Sequence, residues 1–287
     1  MRHAVRVRVG PAGFRIGSDW RAPIEALRDL YRDYPTPEVA DFTVRLEAPA
    51  PWRRWLRPTI VLGGDHMVPD AAPLPLRHGL LAAEMAMNLQ VALGYRRHLL
   101  LHAAAAERDG ACVILTGESG AGKSTLAALL MAEGWRLLGD EFVLLDLATG
   151  AAHPFPRMVS LKNESVEAVA ARLPGGRVGP VLSGTPKGTI RHLVPDARAI
   201  AGMDVPAMPV TILFPRFGAA RAVRPVGAGE AFVRLTQAST NYTALGEAGF
   251  RALTALVARV PALAIDYPDG ASGVALVEDA WRARSAN

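Results

Sequence analysis

The sequence predicts an α/β fold in two parts: a smaller α+β domain over residues 1–97, and a larger domain of strands and helices over 98–287. Three observations carry that expectation. Val5, Val7 and Val9 alternate with Arg6 and Arg8, as the two faces of a half-buried strand do. Ile24, Leu27, Leu30 and Tyr31 then recur at helical spacing. Further on, an apolar run ending at Thr116 passes through a glycine-rich segment into a second helical pattern at Leu126, Leu129, Leu130 and Met131.

In the first part, residues 11–13 turn the chain, and the helix begun at residue 23 is expected to reach Tyr34, where Pro35 and Pro37 stop it. Residues 41–47 and 59–62 read as strands, 65–75 as a loop and 79–95 as a helix. In the second part, residues 99–106 read as one apolar run and Asp109-Gly110 as a hairpin turn into the next strand. Gly134 stands where a C′ glycine ends the helix that follows the glycine-rich segment. Strands are expected at 135–138, 142–147, 209–214 and 263–267, and helices at 248–259 and 273–284. Residues 174–188, with five glycines and three prolines, read as a mobile loop.

With 287 residues, half of them hydrophobic, the chain can bury a substantial core. Gly 27 and Pro 22 together stay well below the roughly 25–30% that marks low-complexity disorder. Cys112 is the one cysteine, so no intramolecular disulfide and no cysteine-based metal cluster can form, and a reducing cytoplasm is the expected compartment. The first residues lack the apolar core of a secretory signal. The apolar stretch at 80–93 is broken by Glu84, Asn88 and Gln90 and falls short of the about 20 residues a membrane span needs, so no membrane partner is expected. Net charge is +5, but the arginines are spread along the chain without a basic run, which does not favour nucleic acid. Of 32 basic residues only Lys123, Lys162 and Lys187 are lysines, marking them as places where Arg would not serve.

Gly117, Glu118, Ser119, Gly120, Ala121, Gly122, Lys123, Ser124 and Thr125 match G-x-x-x-x-G-K-[ST] between a strand and a helix. Glycines let successive N–H groups turn inward toward phosphate oxygens, and the helix N-terminus adds its dipole. Lys123 reaches the terminal phosphates, and the Ser124 hydroxyl helps hold Mg²⁺. Asp140 follows at the end of the next apolar run, where a carboxylate can hold Mg²⁺ or its waters, and Glu141 offers a second. His102 interrupts an otherwise apolar run. Arg157, Lys162 and Asn163 flank a strand, and Lys187 and Arg191 lie in or just after the glycine-rich loop, where a cation can close over a phosphate site.

His102 stands 15 residues ahead of Gly117, and with the glycine-stopped helix and Asp140-Glu141 it resembles the catalytic domain of the HPr serine kinase/phosphorylase family. The resemblance implies a P-loop kinase domain of the HPr kinase type, a mixed sheet flanked by helices. The segment from Leu30-Tyr31 to Pro35, the helix through Glu84 and Asn88, and Ser160-Leu161-Lys162-Asn163 look more like the HPr-kinase-related branch of bacterial peptide-modifying systems. The phosphorylase signature and the Pro-Gly-Arg-Asn loop of the former family are not found, so HPr and phosphorolysis are not implied. Implied instead are ATP and Mg²⁺ and a serine of a peptide or small protein as acceptor; a homo-oligomer is left open, since the rings of HPr kinases do not carry over without interface evidence. His102 and Asp140 would face the acceptor hydroxyl, Asp140 as base, with Glu141 nearer the metal waters. Two other readings fit the same motifs: a small-molecule kinase, for instance of free serine, and a non-catalytic nucleotide-gated binding module.

Overall fold

The computed structural model describes residues 2–67, 72–173 and 175–283. It is a mixed α/β protein with several mixed sheets and helices, and its chain forms two compact units. One comprises residues 1–95 with 178–192, the other 96–177 with 193–287. No helix among the described residues is long and apolar enough to cross a membrane.

The first unit is a five-stranded sheet in the order β1 (His3–Val9), β2 (Ala12–Ser18), β3 (Phe42–Glu47), β4 (Thr59–Gly64), β5 (Leu74–Pro75). The valine alternation of β1 buries Val7 and Val9. β2, which the sequence pattern did not announce, pairs antiparallel with β1 and parallel with β3. Helix α1 (Arg21–Leu30) makes the crossover required between parallel β2 and β3. Ile24, Leu27 and Leu30 face the core as expected. The helix ends before the prolines, however, because Tyr31 leaves helical geometry and donates its buried hydroxyl to Glu84 Oε1 at 2.8 Å. Glu84 lies on α2 (Gly79–Gly94). The expected loop at 65–75 gives two residues to β5, and its residues 68–71 lie outside the described residues.

The second unit opens with a correction. The apolar run is two strands, β6 (His98–Leu101) and β7 (Ala103–Arg108), which enter different sheets on either side of His102. β7 turns through Asp109 (φ 54°) and Gly110 (φ 78°) into β8 (Ala111–Thr116), the two positive φ angles an Asp-Gly hairpin turn requires. Helix α3 (Lys123–Ala132) ends with Gly134 at φ 82°. After it come β9 (Arg136–Gly139), β10 (Val143–Asp146), β11 (Ala152–His153), β12 (Val159–Lys162) and α4 (Ser165–Ala170).

The expected mobile loop is corrected as well. Its second half forms a hairpin of β13 (Leu182–Thr185) and β14 (Gly188–Leu193) with Pro186 and Lys187 at the tip, while Pro174 lies outside the described residues. Leu182 and Ile190 bury against Leu81, and His78 Nε2 meets Ser183 O at 2.9 Å, so the strand holds through packing that a glycine-rich pattern does not display.

The chain then adds α5 (Ala197–Ala201), β15 (Met208–Phe217), β16 (Ala222–Val226), α6 (Ala228–Ala238), α7 (Tyr242–Arg259), β17 (Ala262–Tyr267) and α8 (Gly270–Ala283). The last expected helix starts earlier than residue 273, and Arg284 lies outside the described residues. Six strands form the main sheet in the order β16-β17-β15-β8-β7-β9, with β15 parallel to both β8 and β17. A smaller sheet, β11-β10-β6, shares one core with α6, α7 and that sheet through Leu99, Leu101, Cys112, Ile114, Val143, Leu235 and Leu253. Glu107 and Arg136, both buried, form an ion pair at 2.6 Å across β7 and β9.

Asn241 ties the outer edge of β6 to the start of α7. Its amide donates to His98 O and accepts from Leu100 N–H, both at 2.9 Å and buried. Asn241→Leu is expected to orphan both backbone groups and lower stability by about 2–4 kcal/mol, read from chemical denaturation. A loss below about 0.5 kcal/mol would show that water reaches β6.

Candidate active site

The main sheet brings the candidate residues to one edge. β7 is antiparallel to both β8 and β9, so the last residues of β8 and β9 lie beside the first of β7. Ala103 pairs with Thr116, and Ala105 pairs with Gly139. His102, the loop from Gly117 and Asp140 therefore emerge together, although the chain separates them by tens of residues.

The loop carries three glycines in conformations that L side chains rarely adopt: Gly117 (φ 151°), Gly120 (φ 90°) and Gly122 (φ 94°). A Cβ on Gly122 would also lie 2.5 Å from Tyr267 Oη. Tyr267, at the end of β17, touches the loop again where its hydroxyl approaches Ala121 O at 3.4 Å, and its ring packs edge-on to Phe217. Sequence reasoning saw Tyr267 only as the last residue of a strand. Its place against the loop comes from β17 lying beside β15, which no local pattern encodes.

Lys123 Nζ donates to Gly117 O at 2.7 Å and Glu118 O at 2.9 Å, folding the side chain over its own loop. Burial lowers its pKa and Lys162 lowers it further, while Asp140 and Glu141 raise it. Lys162, at the end of β12, thus acts on the loop lysine through space.

Asp140 is buried, at 2% exposed. Its carboxyl accepts from Ser160 N–H with the Ser124 hydroxyl beside it, and Oδ2 is buried without a hydrogen-bond partner. Burial raises its pKa to about 7; the neighbouring Glu141 adds to the rise, and Ser124, Ser160 and Lys123 oppose it. Glu141 sits at φ 78°, a conformation held only by its surroundings. Gly139 admits no side chain, since a Cβ would lie 2.6 Å from Phe142 O. This tight turn sends Glu141 toward His102, whose Nδ1 is 3.6 Å from Glu141 Oε2.

A register shift in the β7–β9 pairing leaves Leu138 O to Phe155 N–H, at 2.6 Å. That bond draws residues 155–163 along the site and sets Ser160 beside Asp140. Arg157 is buried with its guanidinium 6.0 Å from the Phe155 ring centre, and Asn163 turns the chain at φ 50° after Lys162. Lys187 and Arg191 stand on the β13–β14 hairpin of the first unit, where Arg191 Nε donates to Gly179 O at 3.0 Å. The unpartnered Asp140 oxygen, the Ser124 hydroxyl beside the same carboxyl and the adjoining Glu141 make an all-oxygen donor set that fits magnesium.

A family model described as "SynChlorMet cassette protein ScmC" matches residues 80–171, the span that holds His102, the glycine loop, Asp140, Glu141 and Lys162. Among solved structures, the HPr(Ser) kinase/phosphatase from Coxiella burnetii aligns with TM-score 0.31 and 15% identity, covering 65% of this chain and 95% of that one. No curated protein matches the chain.

Two outcomes follow from this geometry. Between pH 3.8 and about 7 the folded chain keeps a proton on Asp140 that the unfolded chain has released, so this group's contribution to stability falls as pH rises through that window. Asp140→Asn is therefore expected to raise the melting temperature more at about pH 8 than at about pH 4 in magnesium-free buffer, and equal shifts would show an ordinary carboxyl. Gly122→Ala is expected to cost about 1–3 kcal/mol, with Tyr267→Phe recovering part of it if the Tyr267 hydroxyl is the obstacle.

Proposed function

We propose that this chain is an ATP-dependent kinase that transfers the γ-phosphoryl group to a hydroxyl, a serine of a peptide or small protein. The observation that carries the reading is the buried Asp140 carboxyl beside Ser124 and Lys123, the two residues that open α3 after the glycine loop. The matched family's description as a cassette protein is in keeping with an enzyme that acts on a co-encoded product.

In this reading the loop N–H groups from Gly117 to Thr125 surround the phosphates, and Lys123 exchanges its bonds to Gly117 O and Glu118 O for phosphate oxygens. Ser124 would hold magnesium, with Glu141 nearer the metal waters, and the ion would neutralise phosphate charge while Asp140 Oδ2 is kept for the proton. Asp140 Oδ2 accepts the acceptor's proton as the hydroxyl oxygen bonds to the γ-phosphorus. The bond from phosphorus to the bridging oxygen breaks, and that electron pair leaves with ADP. Lys162 offsets charge, while Arg157 and Asn163 contact phosphate or acceptor.

One observation favours a second division of labour. The His102 and Glu141 side chains are 42% and 30% exposed, within easy reach of an acceptor. There Glu141 takes the proton, oriented by His102, and Asp140 stays with Ser124 and the metal.

The test is transfer of label from γ-labelled ATP to a serine peptide. Lys123→Ala and Asp140→Asn are each expected to slow transfer by at least about 100-fold. Loss of the acid limb of the pH–rate profile in Glu141→Gln, with that limb kept in Asp140→Asn, would make Glu141 the base. Nucleotide binding without transfer to any hydroxyl, peptide or free amino acid, would sink the kinase reading. Near-normal turnover in Lys162→Arg would remove that lysine from the site.

A further inference from the structure

Away from this site, three side chains of metal-ligating type converge on the small β11-β10-β6 sheet. His98 on β6 pairs directly with Asp146 on β10, and His153 on β11 pairs with Leu144, two residues before Asp146. Paired residues and residues two apart share a face, so the register alone sets His98, Asp146 and His153 on one side of the sheet. Their ligand atoms all lie within 4.8 Å of one another. The two imidazole rings are 4.6 Å apart, centre to centre.

The carboxylate is held in place for such a role. Asp146 Oδ1 accepts from Ala148 N–H at 3.0 Å, Thr149 N–H at 2.7 Å and the Thr149 hydroxyl at 2.9 Å. These bonds fix the group's orientation, as outer-shell partners of metal ligands do, and they all fall on one oxygen. Oδ2 takes none of these three bonds.

We propose that His98, Asp146 and His153 bind one divalent transition-metal ion, with zinc as the occupant. Two imidazole nitrogens and one carboxylate oxygen are a borderline donor set that suits zinc and leaves a fourth position to water. Magnesium and calcium take oxygen shells and are selected against here. The site is a clamp between strands. β6 leads into His102 and β10 leads away from Asp140 and Glu141, so an ion joining His98 to Asp146 locks the register that brings His102 to Glu141. The ion would sit about 13 Å of strand away from His102, too far to take part in phosphoryl transfer.

The experiment uses the full chain, freed of any affinity tag, stripped by chelator and titrated with zinc and with cobalt. About one equivalent of either is expected to bind, with a rise in melting temperature and, for cobalt, visible absorption from a low-symmetry site. His153→Ala, at a half-buried position, is expected to weaken cobalt binding by at least about 100-fold while the metal-free protein keeps its circular dichroism; Asp146→Asn provides a second variant should that one misfold. Absence of binding at micromolar metal would overturn the proposal, as would unchanged binding in the folded variants. The readouts are metal content, spectrum and melting, so they stand or fall apart from the kinase reading.

Discussion

Strand β7 has hydrogen-bonding groups on both edges, and in a buried sheet all of them must find partners. It meets that demand with two antiparallel neighbours, β8 and β9, and the arrangement of the candidate site follows. Once both neighbours run the same way, their ends must share the edge at which β7 begins. A loop that suits phosphate, a carboxylate and a histidine thereby become neighbours without any of them interacting along the chain. Where the β7–β9 register shifts, Leu138 O is released to Phe155 N–H, and the chain through Ser160 and Lys162 closes on the same edge.

Such convergence has costs that the structure keeps local. Asp140 is buried beside a second carboxylate, Glu141 sits at positive φ, and Gly139 and Gly122 stand where no side chain fits. Each would weaken an ordinary core. They lie within a frame of apolar strands and the fully bonded Glu107–Arg136 pair, which hold the turn in place. A proton on Asp140 relieves part of the charge, so the chain alone is best accommodated when this carboxyl is neutral. Strain and raised pKa at this edge of the sheet are in keeping with the proposed kinase site.

Features whose cause is local were legible in the sequence. The glycine loop, the Asp109-Gly110 turn and the stop at Gly134 each follow from φ angles that few residues adopt, so the residue type announces the geometry. Features set by partners were not. The run around His102 read as one strand because both halves are apolar, yet they bury in different sheets. Residues 182–185 read as loop because a short strand held by Leu81 and His78 needs little pattern of its own. Helix α1 stopped early through Tyr31 and Glu84, which are far apart in the chain. His98, Asp146 and His153 lie on three strands and form no spacing motif.

By itself, then, the sequence determined the chemistry available: a lysine and a serine behind a glycine loop, two adjoining carboxylates and a histidine upstream. Those are consequences of residue type and short-range sterics, which act whatever the rest of the chain does. The tertiary structure alone decided which of these groups meet. Strand pairing is a contact between distant segments, chosen by burial and backbone hydrogen bonding over the whole sheet. For that reason the place of Ser124 beside Asp140, the approach of His102 to Glu141 and the place of Tyr267 against the loop appear only once the sheet is assembled.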